Sequence, residues 1–301
     1  MPVSGPRRAR WSVLAVFLTP ALILLTLFVI VPILGTVVIS FQCKTGFCLK
    51  NYVAVITQQS PDLALIYPPG FGGPPPWGAL IHNIVWILIH VPLTTMLGLF
   101  IAYILRDTVG GSFIKSIVFI GMVIPMVVGG LIIRFMFDKY VGIVPKIFQF
   151  LGVKSLAVTW TSYPQTALIA LILGSVWLWT GFSMTIYSAA LETIPKDYIE
   201  AAKVDGASER QIFFKIILPL LKPATLVVVL MTILWDLKIF DIVFVATLGG
   251  PGGASTVMAL VMYMYFAREL DFAKAAAVAV LLALLTLIPG AYMARRAARG
   301  E

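Results

Sequence analysis

At 301 residues, with 60% apolar and only 12% charged side chains, the chain departs far from a soluble protein, in which about a quarter of the residues carry charge. This composition places it in a lipid bilayer. The net charge of +9 does not point to nucleic acid. The basic residues are scattered through loops, and Lys and Arg beside anionic lipid on the cytoplasmic side account for them.

Residues 1–10 read as a cytoplasmic N-terminus carrying Arg7, Arg8 and Arg10. The apolar run from Trp11 to Ile33 is too long for the core of a secretory signal and is followed by no small-residue cleavage site. It covers roughly 34 Å as a helix, enough to cross a bilayer, and reads as a retained first span reaching no further than Phe41. Residues 42–79 read as an extracellular loop. Its Cys43 and Cys48 lack the further ligands a metal site needs, and both a disulfide and two free thiols stay open. Pro68, Pro69, Pro74, Pro75 and Pro76, with Gly70, Gly72 and Gly73, make a stiff non-helical stretch. It serves either as a spacer or as a surface for an external binding protein.

Five further spans follow within residues 80–294: Leu80–Leu105, Ile117–Phe137, Thr166–Ala190, Pro223–Leu248 and Phe272–Met293. Gly121, Gly129 and Gly130 in the third favour close helix approach, and Pro125 predicts a kink. No internal repeat is visible. With residues 295–301 as a cytoplasmic C-terminus, the loops on the side of the two termini hold thirteen Lys and Arg against seven opposite, so both termini are expected in the cytoplasm.

Ionisable groups within the spans are few. Asp236 lies about 20 Å along the fifth span, where a charge is expensive and ordinarily faces a cavity or a partner. Trp235 and Asp236 together suit a sugar, the ring for stacking and the carboxylate for hydroxyl groups. Trp235, Asp236, Asp241 and Asn83 are the substrate-path candidates, with bracing between helices as the alternative for Asp236. Lys238 and Asp241, three apart, are expected to pair on one helix face. Arg134 is expected to snorkel. His82, Asn83 and His90 have no metal-binding spacing and read as helix-packing groups, as do Trp177 and Trp179. No catalytic residue and no metal ligand is assigned. The chain has no Gly-x-Ser-x-Gly elbow, no Cys/His arrangement within the spans and no phosphate-binding loop.

The most informative stretch runs from Thr193 to Pro223. A helix entered at Pro195 stops at Gly206, and Ser208-Glu-Arg-Gln211 opens a second helix as a capping box. A charged helical elbow between two membrane spans has no lipid to bury itself in and should face another protein. Glu200-Ala201-Ala202, then Asp205-Gly206-Ala207, then Phe214, Ile217 and Pro219 resemble the "EAA" loop of binding-protein-dependent ABC importer permeases, here within residues 192–222. Leu248-Gly-Gly-Pro-Gly-Gly-Ala-Ser-Thr256 resembles a signature of the carbohydrate-uptake members, the MalF-like or glycerol-phosphate-permease-like subunits. The resemblance implies an all-α membrane protein of six helices with the type I importer fold. It implies that Glu200, Ala201, Ala202, Asp205, Gly206 and Ala207 couple to a partner ATPase, which binds ATP and Mg in place of this chain. It also implies a second, often non-identical, permease subunit, two ATPase subunits, an external solute-binding protein, a sugar, polyol or sugar phosphate as substrate, and the cytoplasmic membrane of a bacterium or archaeon. The competing readings are an ion-gradient-driven secondary transporter, which usually shows inverted repeats absent here, and an intramembrane enzyme.

Overall fold

The computed structural model describes residues 11–43, 46–67 and 73–299. Arg7, Arg8, Arg10, Pro68, Pro69, Gly70 and Gly72 of the readings above lie outside them. The first span is one continuous rod, α1 (Trp11–Leu25), a π-helical segment (Thr26–Ile30) and α2 (Val31–Ser40). The π segment sits just before Pro32. Proline offers no N–H, and its ring crowds the carbonyl four residues back, so the ladder widens there instead of breaking. The rod is apolar all round and exposed along residues 15–34, which in lipid carries no penalty.

The loop after the first span begins with a hairpin, β1 (Gln42–Cys43) and β2 (Gly46–Phe47), closed by a Cys43–Cys48 disulfide. The choice between disulfide and free thiols is thereby decided. The side chain of Asn51, in α3 (Lys50–Ile56), donates to the carbonyls of Ser40 and Gln42 and ties the hairpin to the span.

Two further spans are unbroken, α4 (Ala79–Ile104) and α8 (Pro164–Glu192); they make the most extensive helix contact among the described residues. Between them the third span is α5 (Gly111–Val123) followed by α6 (Met126–Met136), bent by 104°. The kink expected at Pro125 is a full break: proline drives Ile124 into extended backbone, φ −67° and ψ 128°, and no helix passes through it. A surface helix α7 (Ile143–Phe150) leads to α8. Near it, the backbone N–H of Tyr140 and, at longer range, that of Val141, with the Thr159 hydroxyl, hold the Asp138 carboxyl below its usual range.

After α8 come the elbow helices α9 (Lys196–Val204) and α10 (Glu209–Ile212), a second π segment (Phe213–Ile217) again just before a proline, Pro219, and the turn α11 (Leu218–Leu220). The fifth span is not the single helix expected over Pro223–Leu248. It is α12 (Lys222–Leu237) and α13 (Asp241–Ala246), interrupted at 238–240. Lys238 and Asp241 flank the interruption and form none of the three ion pairs found among the described residues, which corrects the pairing expected on one helix face. Then come α14 (Met258–Ala267) and the last span α15 (Phe272–Ala298). Four helices are each long and apolar enough to cross a membrane, and two bent pairs, α5 with α6 and the stretch Glu209–Leu220 with α12, bring the crossings to six.

Helices in lipid gain little from hydrophobic burial against one another, so close backbone approach must hold them. A Cβ on Gly98 of α4 would lie 2.3 Å from Ser183 Cβ and 2.7 Å from the Met184 nitrogen on α8. Gly98→Val is therefore expected to cost about 1–3 kcal/mol or more through overpacking, read as a lower midpoint in thermal unfolding of the detergent-solubilised protein. Gly290→Ala, where nothing lies within 4 Å of the new methyl, should be neutral or gain up to about 1 kcal/mol as a helix substitution. Equal losses from the two would show that the α4–α8 contact is not the tight one.

Candidate functional site

The elbow is built from local signals. α9 ends in a Schellman motif: Ala207 N–H donates to the Ala202 carbonyl at 2.9 Å and Gly206 N–H to the Lys203 carbonyl at 3.1 Å. Gly206 stands at φ +80° with open space where a side chain would go, so left-handed backbone, not crowding, calls for glycine there. Ser208 then caps α10, with both reciprocal bonds to Gln211 formed. Ala202 and Ala207 turn inward, with Ile199, onto a core cluster of Leu191, Ile194, Ile212 and Ile217. Glu200, Ala201, Asp205 and Gly206 are exposed. Neither Glu200 nor Asp205 uses its side chain in a hydrogen bond or ion pair within the described residues, so the carboxylates do not brace the turn. The one ion pair on the elbow joins Lys203 to Glu209 at 3.6 Å. The six residues of the motif thus divide by role: two alanines pack, glycine turns the chain, and the acids and Ala201 face outward.

Far from the elbow, toward the other end of α4, a buried polar joint holds the end of α12 and the start of α14. Asn83 donates through Nδ2 to the Asp236 carbonyl at 2.9 Å and, more weakly, to that of Leu237 at 3.4 Å; its Oδ1 accepts the Met258 N–H at 2.9 Å. One amide side chain thereby satisfies groups at the C-terminus of α12 and at the N-terminus of α14, ends that otherwise carry unpaired backbone groups. Its neighbour His82 donates from Nδ1 to the Thr256 carbonyl at 2.7 Å and accepts the Trp77 N–H at Nε2, 3.1 Å. These partners fix the neutral ring with its proton on Nδ1. Seven residues on from Asn83, His90 Nδ1 lies 2.9 and 3.1 Å from the two oxygens of Asp236, both residues buried. Trp179 packs edge-on to His90 at 5.6 Å and to Trp235 at 5.7 Å.

The Gly-Gly-Pro stretch folds against this joint. Ser255 Oγ donates to the Gly250 carbonyl and Thr256 Oγ1 to that of Gly249. A Cβ on Gly253 would strike the Pro61 carbonyl of the loop between the first span and α4. The signature's small residues and hydroxyls are needed to fold and dock this loop.

Of the four substrate-path candidates, the structure brings Asn83, Trp235 and Asp236 together and leaves Asp241 apart, exposed at the start of α13. Asn83 and Asp236 are engaged in holding helices, and Trp235 is half-buried against Trp179 and Phe182. The sequence reading missed His90 as the partner of Asp236. The seven-residue spacing that puts Asn83 and His90 on one face of α4 was a signal for it, but nothing local says which helix that face meets.

The family described as the binding-protein-dependent transport system inner membrane component matches residues 94–298. The chain belongs to this family. Among relatives of the permease, a probable ABC transporter permease protein of Pyrococcus horikoshii is 57% identical over 93% of this chain and 96% of its own length. The trehalose/maltose transport system permease protein of Thermococcus litoralis is 31% identical over 89% and 88%. A bacterial alginate ABC transporter, solved in complex with an alginate pentasaccharide-bound periplasmic protein, superposes with TM-score 0.75 at 19% identity over 96% of the permease and 94% of that chain. At that identity the likeness establishes the fold, which is that of an ABC importer permease.

Removing one member of the buried pair strands the other. His90→Leu is expected to destabilise the permease by at least about 1–3 kcal/mol, the cost of an unsatisfied buried polar group. Adding Asp236→Leu should recover part of that loss. Thermal unfolding of both single variants and the double variant gives the coupling; strictly additive losses would show that the two side chains do not depend on each other.

Proposed function

We propose that the permease is the membrane subunit of an ATP-driven importer and passes a sugar delivered by an external binding protein. The substrate class is a mono-, di- or oligosaccharide or a related polyol or sugar phosphate, as the names of relatives such as the trehalose/maltose permease suggest. Two ATPase subunits, which hold the ATP and Mg, bind on one side, and a second, non-identical permease chain completes the passage. The observation that carries this reading is the elbow: a rigid turn that keeps its packing residues inward and presents Glu200, Ala201 and Asp205, with Gly206, to a partner.

Its setting is the cytoplasm of a bacterial or archaeal cell, with both termini on that side of the cytoplasmic membrane. Two independent features support this orientation. Lys and Arg number thirteen in the loops on that side against seven opposite. The Cys43–Cys48 disulfide lies at the opposite end of the molecule, where an oxidising exterior would sustain it.

Closure of the ATPases pulls on the elbow, which is covalently continuous with α8 and, through α10 and α11, with α12. Along the path, Trp235 and the exposed Asp241 at the fifth-span interruption offer a stacking ring and a carboxylate to sugar hydroxyls. Asn83 and Asp236 position the helices that carry them.

Gly206→Pro cannot adopt φ +80° and removes the N–H that bonds Lys203, while Asp205→Arg reverses a partner-facing charge. Both are expected to abolish uptake at unchanged membrane abundance, in vesicles where wild-type uptake requires internal ATP and survives a protonophore. Persisting uptake and substrate-stimulated ATP hydrolysis in both variants would end the coupling reading. Uptake abolished by the protonophore with ATP supplied would point instead to an ion-gradient transporter.

A further inference from the structure

A second protrusion stands beside the elbow. Between α4 and α5 the chain makes a short loop, Arg106 to Gly110, whose Val109 is 101% exposed. The loop is tightly made. Thr108 Oγ1 donates to the Ile104 carbonyl at 2.7 Å, Gly111 N–H donates to the Thr108 carbonyl at 2.9 Å, and Gly110 turns the chain at φ +78°. The elbow carries a matching apolar tip, Val204, 88% exposed. Between the loop and the elbow lies a cleft of about 370 Å³, with Tyr103, Arg106 and Asp107 on one wall and Lys203, Glu209 and Ile212 on the other.

An isolated exposed valine needs no explanation. Here two of them stand on turns whose neighbouring residues line one cleft, Val109 two residues after Asp107 and Val204 next to Lys203, and that cleft carries two bases and two acids. Lys203 and Glu209 pair with each other, whereas Arg106 and Asp107 make no ion pair among the described residues. A lipid phosphate surface would be attracted by one half of this set and repelled by the other. A polypeptide with both signs of charge complements all of it.

We propose that the ATPase subunit docks on the elbow and on the α4–α5 loop together. A charged segment of the ATPase enters the cleft between them, presenting an acid to Arg106 and a base to Asp107, while Val109 and Val204 pack against the ATPase on either side. This rests on the reading that the elbow binds an ATPase, and it adds a second grip. The loop is the direct end of α4, the helix that carries Asn83 and His90, so the ATPase moves α4 by its own attachment as well as through the elbow.

The chain's two cysteines are joined in the Cys43–Cys48 disulfide, so under non-reducing conditions a new cysteine is the one free thiol on this subunit, whose labelling is read after the subunits are separated. Val109→Cys and Val204→Cys are made separately in the full transporter and labelled with a bulky water-soluble maleimide, before and after the ATPase is stripped from the membranes. Both are expected to label at least about tenfold more slowly in the assembled transporter. Protection of Val204→Cys without protection of Val109→Cys overturns the second grip and leaves the elbow reading intact. Slow labelling of Val109→Cys even after stripping shows it buried in lipid and overturns the proposal as well. Protection of neither removes the ATPase from the elbow and the proposal with it. In the same membranes Arg106→Glu should weaken rebinding of the ATPase at least about tenfold, and unchanged rebinding overturns the insertion into the cleft.

Discussion

A helix that stops inside hydrocarbon leaves carbonyls and N–H groups with no water to take them, and each unsatisfied group costs several kcal/mol. In the fifth span of this permease α12 stops among buried residues at Leu237, and the architecture follows from how that end is closed. Some of the closure is internal, since Lys238 N–H reaches the Trp235 carbonyl at 3.0 Å in a tightened last turn. The rest comes from Asn83, which supplies its amide protons to the end of α12 and its carbonyl to the start of α14. Three elements, α4, α12 and α14, are thereby pinned to one side chain.

Seven residues further along α4, roughly 10 Å as the helix rises, the His90–Asp236 contact holds the same two spans a second time. Two points of attachment fix rotation as well as distance, which one could not do. Beyond the breaks α6 and α13 lie against each other, the Ile242 backbone 3.2 Å from where a Cβ on Gly130 would stand. The other half of the third span, α5, runs instead along α8, with Gly121 against the Trp177 carbonyl and Gly181 against that of Val118. The two interruptions therefore separate one packing unit from another.

How much of this could be read from the residues depended on how far away each cause lies. The backbone of the elbow was legible, since glycine at the left-handed position and the capping box act within a few residues of one another; that Ala202 and Ala207 pack inward, onto a cluster drawn from several helices, was not. The break at Pro125 was half legible: proline announces a disturbance, but only the packing of α6 on α13 decides that it becomes a 104° turn. The break at 238–240 was not legible. Lys238-Ile239-Phe240 contains no glycine or proline, and the group that stabilises the stop is contributed by Asn83, more than 150 residues earlier. The same distance hid the partner of Asp236. A carboxylate at that depth calls for a cavity or a partner, and only the fold brings His90 within 2.9 Å of it.

Between the elbow and the joint there is no long mechanical path to invent. Ile194, Ile212 and Ile217 from the elbow share one packed cluster with Ala102 of α4, Leu191 of α8 and Val228 of α12. Tyr187 of α8 donates to Thr225 Oγ1 of α12 at 3.0 Å just above it. A displaced elbow must therefore either unpack that cluster, which would strand buried isoleucines, or carry the inner ends of α4, α8 and α12 with it. Packed interiors shift between discrete arrangements more readily than they stretch, so the second outcome is the cheaper one. The α4 and α12 ends that move are attached, through unbroken helix, to Asn83, His90 and Asp236. That continuity lets a push at a solvent-exposed turn reach the interruption in the fifth span without any residue between them changing its partners.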